Sequence, residues 1–291
     1  MEMPAPLINQ LLSWQFLKTV IASWFNDRCL SMGAAIAYYA AFSLAPLLIL
    51  VIAVAALAFG REAAQGAIVG QLGALIGPEG EAALAALIEN ASRPGSGGLV
   101  ANIIGVGALL LAATGAVGEI QSSLNVIWKT SPAKESTVRI FLRRKILSYS
   151  FVVVMGFLLM TSLVVSAALA AAGGHLAAYV PGLDVILQIV NFIVSLAVVT
   201  AIFATVYKIL PDTPIAWRDV WLGAIVAGLL FTFGKILIGA YIGSSAIAST
   251  YGAAAALVII LLWVYYTSQI LLFGAELAHE HAARRLTKNT P

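Results

Sequence analysis

Few residues in this chain have side chains suited to chemistry. Three histidines, one cysteine and 13 acidic residues are spread over 291 positions. The tightest group is Glu276-Leu-Ala-His279-Glu280, whose i, i+3, i+4 spacing places three possible ligands on one helix face. A metal site needs more donors from elsewhere. His281 lies two positions from His279 and points away from it on a helix, while His175 stands alone. The group reads as a solvated last turn, not a metal site. A nuclease would need converging carboxylates for metal ions or a pair of histidines for proton transfer. Asp27, Asp212 and Asp219 instead sit beside Arg28, Lys208 and Arg218, as local ion pairs at helix ends would. Ser43 has no Gly-x-Ser-x-Gly context. These residues predict no enzyme, no catalytic set, no cofactor and no metal.

A second kind of chemistry, the passage of a solute through lipid, has more material. Glu119 and Lys235 fall inside long apolar runs, where an ionisable group is expensive and marks a functional site by default. Pro46 interrupts another run. Proline removes a backbone hydrogen bond, and Ser43 is placed to satisfy the freed carbonyl. A helix broken there is a common place for a transport site. Tyr38 and Tyr39 in the first run, and Tyr265 and Tyr266 in the last, lie away from the interface belts where tyrosine is ordinary. Buried phenols need partners. The expected pathway is therefore Tyr38, Tyr39, Ser43, Pro46, Glu119, Lys235, Tyr265 and Tyr266, between the first and last spans.

The elements that must hold these residues follow from composition. Sixty-one per cent of the chain is apolar and 10% charged, and the mean hydropathy is +0.98. A soluble domain has about 25% charge, so a soluble globular protein is excluded. Unbroken Ala-, Leu- and Gly-rich runs also exclude a barrel, whose strands alternate. Six runs are long enough to span: 32–59, 100–127, 146–172, 185–209, 220–241 and 253–277. The expected fold is an all-α polytopic membrane bundle of six transmembrane helices. Before it, Trp14, Leu17, Val20, Ile21, Trp24 and Phe25 form an apolar stripe, which predicts an amphipathic helix lying in the membrane interface. Phe16 does not fit that stripe.

The chain reads as one domain, 1–291, with an N-terminal interfacial segment 1–31, a bundle 32–277 and a tail 278–291. The linker 60–98 reads as two short helices over the outer mouth of the bundle. Lys129, Lys134, Arg139, Arg143, Arg144 and Lys145 crowd the second linker. Lys208 and Arg218 occupy the fourth, and Arg284, Arg285 and Lys288 the tail. The other linkers hold only Arg61 and Arg93. Positive residues face the cytoplasm, so both termini are expected there. The same excess explains the pI of about 9.0 as a rim facing anionic headgroups, not a nucleic-acid surface.

Several ordered motifs resemble one family. They are Asp27-Arg-Cys-Leu-Ser-Met-Gly33-Ala-Ala-Ile-Ala-Tyr38-Tyr39-Ala-Ala-Phe42-Ser43-Leu-Ala-Pro46-Leu47, Tyr207-Lys-Ile-Leu-Pro211-Asp212, Trp217-Arg218-Asp219-Val220-Trp-Leu-Gly223-Ala224, Tyr251-Gly252-Ala253, Trp263-Val-Tyr265-Tyr266 and Gly274-Ala275-Glu276. Together they resemble the YihY / virulence factor BrkB family of bacterial inner-membrane proteins. Lys208 stands where relatives carry Arg, and lysine lacks the planar fork. The resemblance implies a multi-pass protein of the bacterial inner membrane. A ribonuclease activity has been attributed to the family, but the residues here offer no geometry for one. The expected function is a transporter or transporter-like protein for an amphipathic or lipid-like solute. The alternative is a non-transporting envelope or scaffold protein acting through lipids or protein partners. Membrane lipids, a small solute and a second copy of the chain are the expected partners; nucleic acid is not.

Overall fold

The computed structural model describes residues 14–70, 81, 85, 88–89, 115–130, 183–244 and 255–289. All regular structure among them is helical. The elements are α1 (Trp14–Asn26), α2 (Cys29–Phe59), α3 (61–70), α4 (115–127), α5 (Leu183–Ile209), α6 (Trp217–Ser244) and α7 (Ala255–Asn289). Three helices are long and apolar enough to cross a membrane: Ile186–Ile209, Trp217–Lys235 and Ile260–Thr287. They fall on the fourth, fifth and sixth expected runs. The 31 residues of α2 cover the first run, and α4 covers the end of the second. The third run and most of the linker 60–98 lie outside the described residues.

α7 is the central post. It packs against α6, α2 and α1, and α6 packs in turn against α5. Over half of its span is buried (56%), against 22% for α5, so α7 is surrounded by protein while α5 keeps an outer face. Small residues make the closest contacts possible. A Cβ on Gly223 would stand 2.0 Å from the Gly274 carbonyl oxygen, so α6 and α7 touch backbone to backbone there. Tyr207 of α5 passes over Gly274 and donates a 2.8 Å hydrogen bond to the Leu271 carbonyl. That bond satisfies a phenol with no solvent exposure. Around this crossing Cys29, Ile36, Leu124, Phe203, Val220, Ala224, Ile270 and Leu272 form one continuous core from five helices.

α1 serves two surroundings. Phe16 and Val20 are buried against Leu277, with Leu222, Val226 and Phe273 beside them, and the Arg284 guanidinium lies over the Phe16 ring at 4.6 Å. Burying Phe16 contributes about 2 kcal/mol. Trp14, Leu17, Ile21 and Phe25 remain exposed on the other side. Phe16 departs from the apolar stripe because it belongs to the face that docks on the bundle. The rest of the stripe points outward, except Val20 and the half-buried Trp24, which packs on the main core.

Two tight reversals aim the chain at one end of the bundle. Between α1 and α2, Arg28 takes a left-handed conformation with φ 57°. After α4, Lys129 does the same at φ 48°. There Thr130 N–H donates to Asn125 and Lys129 N–H to Val126, the paired bonds of a Schellman ending. Among the described residues these are the two non-glycine residues with positive φ. Each costs about 1 kcal/mol, and both flank the same ion pair.

Candidate functional site

That ion pair joins Lys129 Nζ to both oxygens of Asp27. It opens a rim of polar contacts where α1, α2 and α7 meet the ends of α4, α5 and α6. Asp212, just past α5, accepts from Asn125 Nδ2 at 2.7 Å and from Gln121 Nε2 at 3.1 Å. Its own N–H donates to Asn125 Oδ1 at 2.8 Å. Asp219, in the first turn of α6, pairs with Arg285 of α7, whose guanidinium nitrogens stand 2.7 and 3.1 Å from its two oxygens. Lys208 donates to the Ile215 carbonyl and lies 6.0 Å from the centre of the Trp217 ring. Sequence proximity gave these aspartates the wrong partners. Asp27, Asp212 and Asp219 bind residues 102, 91 or 87, and 66 positions away, not the basic residues beside them. A neighbour on the same helix points elsewhere, whereas the bundle brings distant helix ends together.

Glu276 differs from all of these. It is fully buried, with 0% exposure, which corrects the expected solvated last turn. α6 closes on the Gly274 and Ala278 face of α7, and Glu276 lies on another face, against Cys29 of α2. One carboxyl oxygen, Oε1, accepts from the Cys29 thiol at 3.8 Å. The other, Oε2, has no hydrogen-bond donor among the described residues. Asp27 and Lys129 both act on it electrostatically, as does Glu280 one turn on. Ser23 holds Glu280 at 2.9 Å. The His279 ring meets the Trp128 ring edge-on at 5.3 Å. Gln269 donates to the Cys29 carbonyl at 3.4 Å, and it fits only because the facing residue is Gly33: a Cβ there would stand 2.0 Å from its Nε2.

Glu276 Oε2 is one of several unmatched polar atoms among the described residues. Trp24 Nε1, Trp128 Nε1, Thr267 Oγ1, Gln269 Oε1 and Glu276 Oε2 are all buried without a partner. Such groups are rare in a finished core, since each costs about 1–3 kcal/mol when left unpaired. Among the described residues no three His, Cys, Asp or Glu side chains converge to hold a metal ion.

The expected pathway residues divide. The first and last spans, α2 and α7, are direct neighbours. Tyr38 and Tyr39, however, are 60% and 45% exposed on α2. They pack edge-on, with Phe42 against Tyr38. Tyr266 turns the other way and donates to the Leu230 carbonyl of α6 at 3.1 Å; Tyr265 is half-buried. Helical structure continues through Pro46 without a break; its side chain is outside the described set. Proline frees the carbonyl four residues back, that of Phe42, but the Ser43 hydroxyl donates to Ala40, at 3.4 Å. Ser43 is buried. Glu119 is half-buried on α4 and Lys235 exposed on α6. Neither forms an ion pair among the described residues.

The motifs of the sequence are therefore the joints of this rim: Asp27 and Cys29, Tyr207 and Asp212, Asp219 and Gly223, Gly274 and Glu276. A family model described as Virulence factor BrkB matches residues 20–291. The chain belongs to that family. BrkB-family relatives are named as UPF0761 membrane proteins. One from Ralstonia nicotianae is 30% identical over 55% of this chain and 34% of its own length. Another, from Alteromonas mediterranea, is 30% identical over 64% of each chain. A third, from Rhodospirillum centenum, is 25% identical over 90% of this chain and 56% of its own. The chain thus spans between a third and two thirds of these curated relatives. No solved structure matches it. Like them, this BrkB-family chain is a membrane protein with helices that can span a bilayer.

Proposed function

We propose that the protein is a multi-pass transporter of the bacterial inner membrane, moving an amphipathic or lipid-like solute, with both termini in the cytoplasm. The observation that carries this is the set of buried polar atoms, Glu276 Oε2 among them, that have no hydrogen-bond partner among the described residues. Lipid cannot satisfy them, so water or a solute must. A scaffold has no use for such a group, because a static bundle is more stable with its polar atoms paired or absent. The exposed Tyr38, Tyr39 and Phe42 on α2 support a solute with an apolar part, offering a lateral surface to it. Glu119, Ser43 and Tyr265, partly or fully buried, are the further pathway residues this reading keeps.

Six crossings are supported by the rim. Asp27, Lys129, Asp212, Asp219 and Arg285 meet at one end, so the chain returns to that end between each successive pair. Two passages each for 29–129, 129–212 and 217–285 make about six at one helix per passage. The basic residues at those returns support a cytoplasmic rim. The ion pairs also favour the second reading, an envelope scaffold, since they fasten the helix ends together.

Purified protein in liposomes tests the choice. Transport predicts that a fluorescent phospholipid in the inner leaflet becomes accessible to an external quencher faster than in protein-free vesicles. No acceleration for that probe or for soluble amphiphiles, with or without a pH gradient, leaves the scaffold.

A further inference from the structure

We infer that Glu276 is a proton-binding site, loaded and emptied through Asp27, and that the proton is the ion coupled to transport; the coupling, though not the site, rests on the transport reading above. The argument is geometric. Two carboxyl groups and one ammonium meet at the junction of α1, α2, α4 and α7. Lys129 neutralises one carboxylate and is already bound to Asp27 through both oxygens. Glu276, fully buried and interacting with Asp27, has an oxygen, Oε2, that no N–H or O–H among the described residues satisfies. Two carboxylates in such a place share a proton more cheaply than they both ionise. A hydrogen on the Glu276 carboxyl group turns an acceptor without a donor into a donor for which Asp27 is a neighbouring acceptor.

The groups around it fit that role. The Cys29 thiol supports Oε1 from α2, Glu280 is held away by Ser23 of α1, and His279 is engaged with Trp128. A route to water exists: the Asp27 side chain is 13% exposed and that of Lys129 58%, while Glu276 itself has none. Release breaks the O–H bond of Glu276, passes the proton to an Asp27 oxygen and then to water. Lys129 remains as the counter-charge for the two carboxylates left behind. The reverse order reloads the site. Sodium is the competing ion, and titration in sodium-free buffer separates the two.

The site is tested without any solute. Protein in lipid nanodiscs is titrated in sodium-free buffer while the carbonyl-stretch band of a protonated carboxylic acid is followed by infrared difference spectroscopy. The expected result is one band that appears and disappears with pH, is lost in Glu276→Gln and is retained in Glu276→Asp. If Glu276→Gln does not fold, Asp27→Asn serves: with the neighbouring charge gone, the band's midpoint moves to lower pH. A wild-type spectrum with no titrating band, a band indifferent to both substitutions, or one that requires sodium overturns the proposal. Proton flux into liposomes under a clamped potential tests the coupling. A titrating band without flux retains the site and rejects the coupling and the transport reading.

Discussion

Asp212 and Glu276 both stand at the rim, and both meet side chains at the end of α4, yet they are built to opposite rules. Asp212 is closed. Its two oxygens accept from Gln121 and Asn125, and its backbone N–H completes a two-way bond with Asn125. Glu276 is open. It is more deeply buried, yet it has one weak thiol donor and one unmatched oxygen. A fully paired polar network rigidifies a fold, while a partly paired one stores free energy that a ligand can release. The difference separates a lock from a site. It also explains why charge alone is a poor guide to function here: the acidic residue with the more complete set of partners is the less interesting one.

The largest expected effect lies on the closed side. Asp212→Ala removes the two hydrogen bonds to the carboxylate and strands the amide donors of Gln121 and Asn125, while the backbone N–H still reaches Asn125 Oδ1. It is expected to cost about 3 kcal/mol and to lower the thermal midpoint in detergent by several degrees, with little specific effect on proton titration. A stable Asp212→Ala protein would mean that the lock is not one. Gly33→Ala comes next. The new methyl displaces the flexible Gln269 side chain, not backbone, so about 1–2 kcal/mol is expected. Because Gln269 borders the open site, this change should also disturb the infrared band of Glu276. An unaltered band with the same loss of stability would separate Gln269 from that site.

How much of this was legible in the sequence depends on the distance between partners. The runs that became α5, α6 and α7 were readable because a span is a local property, an uninterrupted apolar stretch of sufficient length. The rim was not, since its pairs are formed by the packing of helices far apart in the chain. Arg28, Lys208 and Arg218 were the visible basic neighbours, whereas Lys129, Asn125 with Gln121, and Arg285 are the actual partners. A signal did exist. The parity of the spans puts residues 27, 129, 212, 219 and 285 on one side, and counting charges by side, not by neighbourhood, makes Lys129 and Arg285 candidates for Asp27 and Asp219; the amide partners of Asp212 carry no such signal. Phe16 carried a second signal, since a residue that spoils an apolar stripe marks another buried face. Gly274 and Ala278 mark the face on which α6 closes; Glu276 lies round the helix from them, against Cys29, and its burial had no such local signal.

A smaller effect is expected on the open side. Glu276→Gln keeps the shape of the side chain and replaces an unmatched acceptor with an amide that can donate to Asp27. Its stability should change by less than about 1 kcal/mol, although it abolishes the titrating band. That combination is what the comparison demands, because a structural carboxylate would show the reverse: a clear loss of stability and no change in titration. Thermal melting and the infrared titration on the same preparation read both sides at once.

The smallest effect is expected at Lys235, which is neither lock nor site. It lies in the latter half of α6, exposed, beside a Gly234 that packs beneath the Tyr266 ring. The helix turns about 100° per residue, so a residue adjacent to that contact points away from the α6–α7 seam. An exposed lysine in a span reaches the headgroups along its own stem, and its charge then adds little to the fold. Lys235→Met is therefore expected to change stability by less than about 0.5 kcal/mol and to leave flux in liposomes as it was. The sequence alone had marked this residue as a pathway charge, on the principle that intramembrane ions are functional. The principle applies to a lysine facing the bundle interior, and the exposure of Lys235 favours the snorkelling alternative, which the flux measurement decides. Flux lost in Lys235→Met, with folding intact, would return the residue to the pathway and move the open side of the molecule from the rim towards the middle of the bundle.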